Sequence, residues 1–99
     1  MKIFKLSQNV NNDYDTYDSM IVIAENEEQA KRMHPSFDDI FYDEDKKKFW
    51  NYNIVGEKYL FENEYGSWTN DLSKIEVEYI GEAKEGEKKR LVLASFNAG

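Results

Sequence analysis

The longest apolar run of the chain lies in the stretch Tyr17-Asp18-Ser19-Met20-Ile21-Val22-Ile23-Ala24. Side chains of a β-strand alternate between two faces, so Met20, Val22 and Ala24 would face one way and Ile21 and Ile23 the other. Apolar residues on both faces are typical of a strand that is covered on both sides. The run therefore predicts a central strand, covered by the protein itself or, on one face, by a second copy of the chain.

Three further strands are predicted from shorter patterns. Phe4 and Leu6 share one face of a first strand over residues 2–8. Near the end of the chain, residues 75–79 alternate apolar side chains with glutamate, which indicates a half-buried strand. Residues 91–94 are continuously apolar and predict the final strand.

A short helix is predicted directly after the central strand. Asn26 is a favourable N-cap, and Gln29 stands three residues later, as in a capping box. The helix would present one apolar face to the sheet, formed by Ala30, Met33, His34 and Phe37. Pro35 disfavours helical geometry at the residue before it, so we expect the helix to end near His34.

Residues 38–66 interrupt this pattern. They begin with an acidic group formed by Asp38, Asp39, Asp43, Glu44 and Asp45, of which we expect the consecutive Asp43, Glu44 and Asp45 to stand in solvent. Three lysines follow, and then residues 49–55 read as a strand that Gly56 turns back into residues 59–61. The segment therefore predicts a β-hairpin or an irregular insertion.

Together these elements follow one another in the order β-β-α-insertion-β-β. This order predicts an α+β fold, in which one short helix packs on a face of an antiparallel sheet. Ninety-nine residues suit a single domain, residues 1–99, with the insertion at about 38–66. We expect Val22 and Leu93 to lie buried in strands of the same sheet.

Composition excludes several classes of protein. Thirteen basic against twenty acidic residues give a net charge of −7, which disfavours direct binding to nucleic acid or to an anionic membrane. The absence of cysteine removes disulfides, cysteine-based zinc sites and thiol catalysis. No apolar run approaches the roughly 20 residues of a membrane span, so the expected location is the cytoplasm.

The densest polar cluster is a possible ligand-binding loop. Calcium loops need glycine at the sixth position and glutamate at the twelfth, where a frame beginning at Asn11 has Thr16 and Val22. We therefore predict no metal and no cofactor, and interpret the cluster as turn chemistry or as a recognition loop closed by the chain end. Its candidate residues are Asn11, Asn12, Asp13, Tyr14, Asp15, Tyr17 and Asp18, with Ser95 and Asn97.

Catalytic signatures are missing from the sequence. His34 is the only histidine, and its place at a predicted helix end suits a structural role. The twenty carboxylates include no pair whose spacing marks it as an acid and base. We therefore predict that the protein is not an enzyme; the minimum observation against this would be a pocket holding His34 and two carboxylates.

Six aromatic residues lie within nineteen positions: Trp50, Tyr52, Tyr59, Phe61, Tyr65 and Trp68. They either pack in the core of the hairpin or act as anchors at a protein interface, where aromatic side chains are enriched. Among them, Trp50 and Tyr52 follow the acidic group most closely. We therefore group these two with it as candidate partner-binding residues.

Five blocks of the sequence stand out, at residues 7–19, 24–30, 34–36, 77–83 and 93–99. Together they resemble a family of small uncharacterised proteins carried by phages and mobile elements. The resemblance supplies no catalytic residues and does not extend to residues 38–66. The strand-strand-helix opening also resembles that of several small anti-CRISPR proteins in architecture.

These observations favour a small, acidic, non-enzymatic binding protein of a phage or mobile element. It would inhibit a host defence complex of the CRISPR type by protein–protein contact in the host cytoplasm, its acidic surface meeting a basic protein or ribonucleoprotein. The alternative is a module that binds a small ligand or a peptide through residues 11–18. A homodimer is compatible with both.

Overall fold

The computed structural model describes residues 1–10, 15–36, 38–61 and 67–97. In chain order the elements are β1 (Lys2–Ser7), β2 (Thr16–Ala24), α1 (Glu27–Lys31), β3 (Phe41–Asp43), β4 (Lys48–Tyr52), β5 (Lys58–Leu60), a 3₁₀ turn (Leu72–Lys74), β6 (Glu76–Glu82) and β7 (Arg90–Asn97).

The described strands form two antiparallel sheets. The first sheet has four strands in the order β6-β1-β2-β7, and the second has three in the order β3-β4-β5. The second sheet is built by the segment that the sequence analysis treats as an insertion. Most of the regular structure in the described residues is antiparallel β-sheet. The helical part of these residues is one five-residue α-helix and one 3₁₀ turn. The α+β prediction is therefore confirmed only in part.

The prediction for the central strand is confirmed, and the prediction for Leu93 is wrong. Strand β2 lies between β1 and β7, and Val22 is fully buried. Leu93, in contrast, is 65 % exposed. Ile21 pairs with Leu93 but Val22 pairs with Leu91, so the intervening Val92 forms a β-bulge. The bulge turns Leu91 toward the core and leaves Leu93 on the opposite face of the sheet.

The helix begins where the sequence predicts and ends earlier. The Oδ1 atom of Asn26 accepts a hydrogen bond of 2.8 Å from the N–H of Gln29, which confirms the N-cap. The side chain of Gln29 accepts from the N–H of Glu25 instead of closing the capping box on Asn26. After Lys31, the N–H groups of Arg32 and Met33 donate to carbonyls three residues earlier instead of four. This tighter, 3₁₀-type bonding ends the α-helix before His34.

The hairpin in the second sheet is confirmed, but its first strand is shorter than predicted. Gly56 has a positive φ of +84°, which suits its place in the turn. Ile54 and Val55 lie exposed in the turn instead of in β4. The cause is Asn53, whose Oδ1 atom accepts the N–H groups of Val55 and Glu57 and starts the turn early.

Both sheets contribute to one hydrophobic core. The buried apolar residues come from β1, β2, α1, β4 and the segments between the sheets: Phe4, Leu6, Met20, Val22, Ala24, Ala30, Met33, Ile40, Phe49, Trp68 and Ile75. The second sheet is therefore packed on the first and is not an independent appendage.

A short segment, Ser67–Asn70, joins the two sheets. The carbonyl of Ser67 accepts the N–H of Tyr17, at the start of β2, at 2.9 Å. The buried side chain of Gln8 donates to the carbonyl of Tyr17 at 2.8 Å and accepts the N–H of Thr69 at 2.9 Å. One amide thus ties the segment to the first sheet.

A second buried amide, that of Asn70, ties the segment to the second sheet. Phe61 donates its N–H directly to the carbonyl of Phe49 at 2.8 Å. The reciprocal bond is replaced by the side chain of Asn70, which accepts the N–H of Phe49 and donates to the carbonyl of Phe61, both at 2.7 Å. The side chain of Asn70 therefore provides hydrogen-bond partners for the backbone of both segments at the point where β4 and the chain after β5 separate.

We expect Asn70→Ala to destabilise the fold strongly. The substitution leaves the N–H of Phe49 and the carbonyl of Phe61 without their amide partner in the core, at a cost of about 2–5 kcal/mol. Chemical denaturation followed by tryptophan fluorescence measures the change. Asn51→Ala is the matched control, since the side chain of Asn51 accepts only an exposed bond from the N–H of Tyr52. Equal stability losses in the two variants would contradict the role of Asn70.

Candidate functional site

The outer face of the second sheet carries a group of exposed aromatic side chains. Phe49 and Tyr42 pair with each other and pack toward the core, so neighbouring residues in both strands point outward. The strand registers place the outward residues in three adjacent rows. We call this surface the aromatic face, and it consists of Phe41, Asp43, Lys48, Trp50, Tyr52, Lys58 and Leu60.

Trp50 lies at the centre of the aromatic face and is held from several sides. Its ring centroid lies 5.0 Å from that of Phe41 and 5.3 Å from that of Tyr52. The ammonium group of Lys58 lies 4.7 Å from the ring centroid of Trp50, and the same group forms an ion pair with Asp43. A cation placed over the indole and fixed by a carboxylate restrains the tryptophan in one position.

Asp43 is a structural residue of this face, and the expectation that it stands in solvent is wrong. Its side chain is only 14 % exposed. Besides pairing with Lys58, it accepts the N–H groups of Asp45 and Lys46 in the turn after β3. The hydrogen bond from Lys58 is the largest of the effects that lower the pKa of Asp43.

The other residues of the acidic group are more exposed. Glu44 forms a two-pronged ion pair with Arg32, with distances of 2.7 and 3.1 Å, and this pairing lowers the pKa of Glu44. Asp45 and Asp39 are exposed. Asp38 accepts the N–H of Leu91 in β7 at 2.5 Å, so it caps a strand of the first sheet.

The six clustered aromatic residues divide between core and surface. Trp68 is buried and Phe61 packs against the core, as expected for structural residues. Tyr52 and Tyr59 are more than half exposed. Tyr65 lies outside the described residues. The sequence patterns did not predict the contributions of Phe41, Lys58 and Leu60. Alternation around Phe49 is the signal that places Trp50 and Tyr52 on the opposite face.

The polar loop falls only partly on described residues. Asn11, Asn12, Asp13 and Tyr14 lie outside them, as does the side chain of Asn97. Asp15 is exposed with a positive φ of 60°, and Asp18 is also exposed.

Strand pairing brings the described end of this loop beside the end of the chain. Thr16 pairs with Asn97, and Ser19 pairs with the exposed Ser95. Tyr17 pairs with Phe96 with ring centroids 4.8 Å apart. These pairings place residues 16–19 beside residues 95–97.

His34 is buried between aromatic rings. Its ring centroid lies 5.1 Å from that of Phe49 and 5.3 Å from that of Phe61, both in edge contact. Its Nδ1 atom accepts the N–H of Ser36 at 3.1 Å, which requires that nitrogen to be unprotonated. Burial lowers the pKa of His34 from 6.5 to about 3. The side chain is therefore a neutral part of the core.

A polar cleft of about 450 Å³ lies beside the second sheet, between Arg32, Tyr42, Lys47 and Asp71. Arg32 is engaged by Glu44, and the hydroxyl of Tyr42 donates to the carbonyl of Asn70 at 3.2 Å. Asp71 accepts hydrogen bonds from both the N–H and the hydroxyl of Ser73. Arg32, Tyr42 and Asp71 are therefore each engaged in hydrogen bonds within the protein.

The described residues hold neither a cluster of metal-ligating side chains nor a membrane-spanning helix. No group of three or more histidine, aspartate or glutamate side chains in these residues is arranged to hold a metal ion. No helix in that part of the chain is long and apolar enough to cross a lipid bilayer.

Comparison of the chain with protein-family models, with curated proteins and with solved structures finds no match. The resemblance to phage and mobile-element proteins therefore stays a prediction.

We expect the stability of the protein to fall as the pH falls below 6.5. The unfolded chain binds a proton at His34 near pH 6.5, whereas the folded chain does so only near pH 3. Acid therefore favours unfolding, and the contribution of His34 is fully present only above pH 6.5. Between pH 7 and 5.5 this linkage costs about 1 kcal/mol.

Denaturant unfolding at these two pH values measures the loss, and His34→Asn, which keeps an acceptor for the N–H of Ser36, is the comparison. The acidic residues remain in both proteins. The loss should therefore shrink in the variant; an unchanged loss would assign the titration to another group.

Proposed function

We propose that this protein is a non-enzymatic binding protein whose aromatic face docks on a protein partner. The observation that carries the proposal is the aromatic face, whose exposed aromatic side chains stand on a sheet that is packed against the core. Phe41 and Tyr52 are exposed on either side of the half-buried Trp50. Large aromatic side chains are the most frequent anchors of protein interfaces, and anchors that are already held in position lose little entropy on binding.

The ion pair between Asp43 and Lys58 supports this use of the face. It holds a cation over Trp50 in the free protein, so the indole does not need to be ordered by the partner.

The distribution of charge supports a partner with a basic surface. Within residues 41–60, four lysines balance four acidic residues, so the aromatic face and its turns are neutral. The whole net charge of −7 is carried by the rest of the chain. We propose that the acidic remainder steers association while the neutral aromatic face makes the short-range contacts. Of the exposed acidic residues, Glu44 and Asp45 lie within the neutral residues 41–60, whereas Asp38 and Asp39 belong to the acidic remainder.

The narrower proposal is inhibition of a host defence complex of the CRISPR type, in the cytoplasm of a host cell. It rests on the resemblance described above and on the acidic charge, which suits a protein that covers a basic nucleic-acid channel. A phage-protection assay addresses it directly, because expression of the wild-type protein would protect a targeted phage and expression of Tyr52→Ala would not.

The alternative proposal is a ligand- or peptide-binding module formed by residues 11–18 and the chain end. The pairing of Thr16 with Asn97 and of Ser19 with Ser95 favours it. Binding at that site would be independent of Trp50 and Tyr52, which separates the two proposals.

We expect Tyr52→Ala to weaken partner binding by about 30-fold or more, the effect of removing an interface anchor worth at least 2 kcal/mol. Tyr79→Ala is the matched control, because Tyr79 is a comparably exposed tyrosine (51 % against 61 %) on the first sheet. Affinity purification from the cells that make the protein supplies the partner, and titration of the purified complex measures affinity.

Trp50→Ala provides a second test, provided that its circular dichroism spectrum is unchanged. Equal binding by wild type, Tyr52→Ala and Trp50→Ala would contradict the proposal. Tight binding of a single-stranded oligonucleotide to the aromatic face would contradict the assignment of a protein partner, since stacking platforms for nucleic acid also use aromatic residues.

A further inference from the structure

The last strand, β7, forms one edge of the first sheet. It spans eight residues, which corresponds to about 26 Å of extended chain. Its neighbour in the sheet is β2, and no other described strand pairs with it. The side of β7 that faces away from β2 therefore presents a row of backbone N–H and C=O groups, a ready template for another strand.

The two edges of the sheet differ in charge. Strand β6, at the other edge, carries three exposed glutamates, Glu76, Glu78 and Glu82. In β7 the residues from Leu91 to Phe96 carry no charge at all. Charged side chains on edge strands prevent pairing between molecules. The β6 edge is thus protected by its glutamates, whereas most of the β7 edge is not.

Side-chain exposure follows the same division. Strand β7 exposes the apolar side chains of Val92, Leu93 and Phe96. Exposed apolar side chains on a long unprotected edge are typical of a strand that pairs with another chain.

On the face of the first sheet opposite the core, the central row of paired residues becomes apolar toward β7, whereas the neighbouring rows end at β7 on Ser95 and Arg90. The central row crosses all four strands and runs from Glu78 through Lys5 and Ile21 to Leu93. The row is charged at the β6 edge and apolar at the β7 edge. A second molecule joined at β7 would make the two apolar ends continuous and leave both charged ends at the outside.

We propose that β7 pairs with β7 of a second copy of this chain, in an antiparallel arrangement with two-fold symmetry. Self-pairing at β7 brings no like charges together over its apolar residues, whereas self-pairing at β6 would bring glutamates close. A two-fold arrangement is closed and produces a dimer instead of a fibre. Asp38 already accepts the N–H of Leu91, so the pairing extends over Val92 to Asn97.

Two edge residues provide a matched pair of substitutions. Val92 and Ile80 are each the bulge residue of an edge strand, on β7 and β6 respectively. They are also similarly exposed, 45 % and 50 %. Val92→Lys therefore places a charge on the proposed interface, and Ile80→Lys places the same charge on the opposite edge.

Sedimentation equilibrium over a range of concentrations tests the proposal. We expect the mass of two chains for the wild type and for Ile80→Lys, and the mass of one chain for Val92→Lys. Thermal melting of each variant checks that it is folded, and Leu93→Lys serves as a second interface variant if Val92→Lys is not. Tyr52→Ala should remain dimeric, which keeps this test separate from that of the aromatic face.

Hydrogen exchange provides an independent readout. Amides of residues 92–97 should exchange more slowly as the wild-type concentration rises, while those of β6 should not change. A wild type that is monomeric at high concentration, a dimer that survives both β7 substitutions, loss of the dimer through Ile80→Lys, or open-ended assembly would each overturn the proposal.

Discussion

Two buried side-chain amides hold the two sheets of this protein together. Gln8 binds the segment Ser67–Asn70 to the first sheet, and Asn70 binds the same segment to the second. Trp68, between them, fills the core. Because a buried backbone N–H or C=O without a partner is costly, each amide also fixes the position of the strands whose backbone groups it satisfies.

The aromatic face depends on this junction. Asn70 binds the backbone of Phe49, which places the inner side of β4 against the core and leaves the alternate residues facing outward. Trp50 and Tyr52 face outward for this reason. The ion pair between Lys58 and Asp43 then holds Trp50 in place on the outer face. Residues that read as a charged surface segment in the sequence therefore support an aromatic surface.

The first sheet offers a different kind of surface. Its two edge strands each contain a bulge, and each bulge exposes one apolar residue, but only β6 carries glutamates beside it. The aromatic face would bind through side chains, whereas the edge strand would bind through its backbone. The chain thus carries two separate surfaces, one proposed for a foreign partner and one proposed for a second copy of the chain.

Local patterns in the sequence were sufficient for the central strand, the N-cap of the helix and the hairpin, because each depends on neighbouring residues. The apolar run ending at Ala24 predicted the position of β2, and Asn26 predicted the start of the helix. The same patterns predicted a buried Leu93, because strict alternation cannot anticipate a bulge that forms only when β7 pairs with β2.

Long-range contacts determined the remaining features. Gln8 and Thr69 are sixty-one residues apart, and Lys58 and Asp43 are fifteen apart, so neither pairing has a periodic signal in the sequence. The sequence by itself determined which residues favour strand, turn and cap. Only the tertiary structure decided which side chains face solvent. The second sheet has one buried face and one exposed face only because it packs on the first sheet.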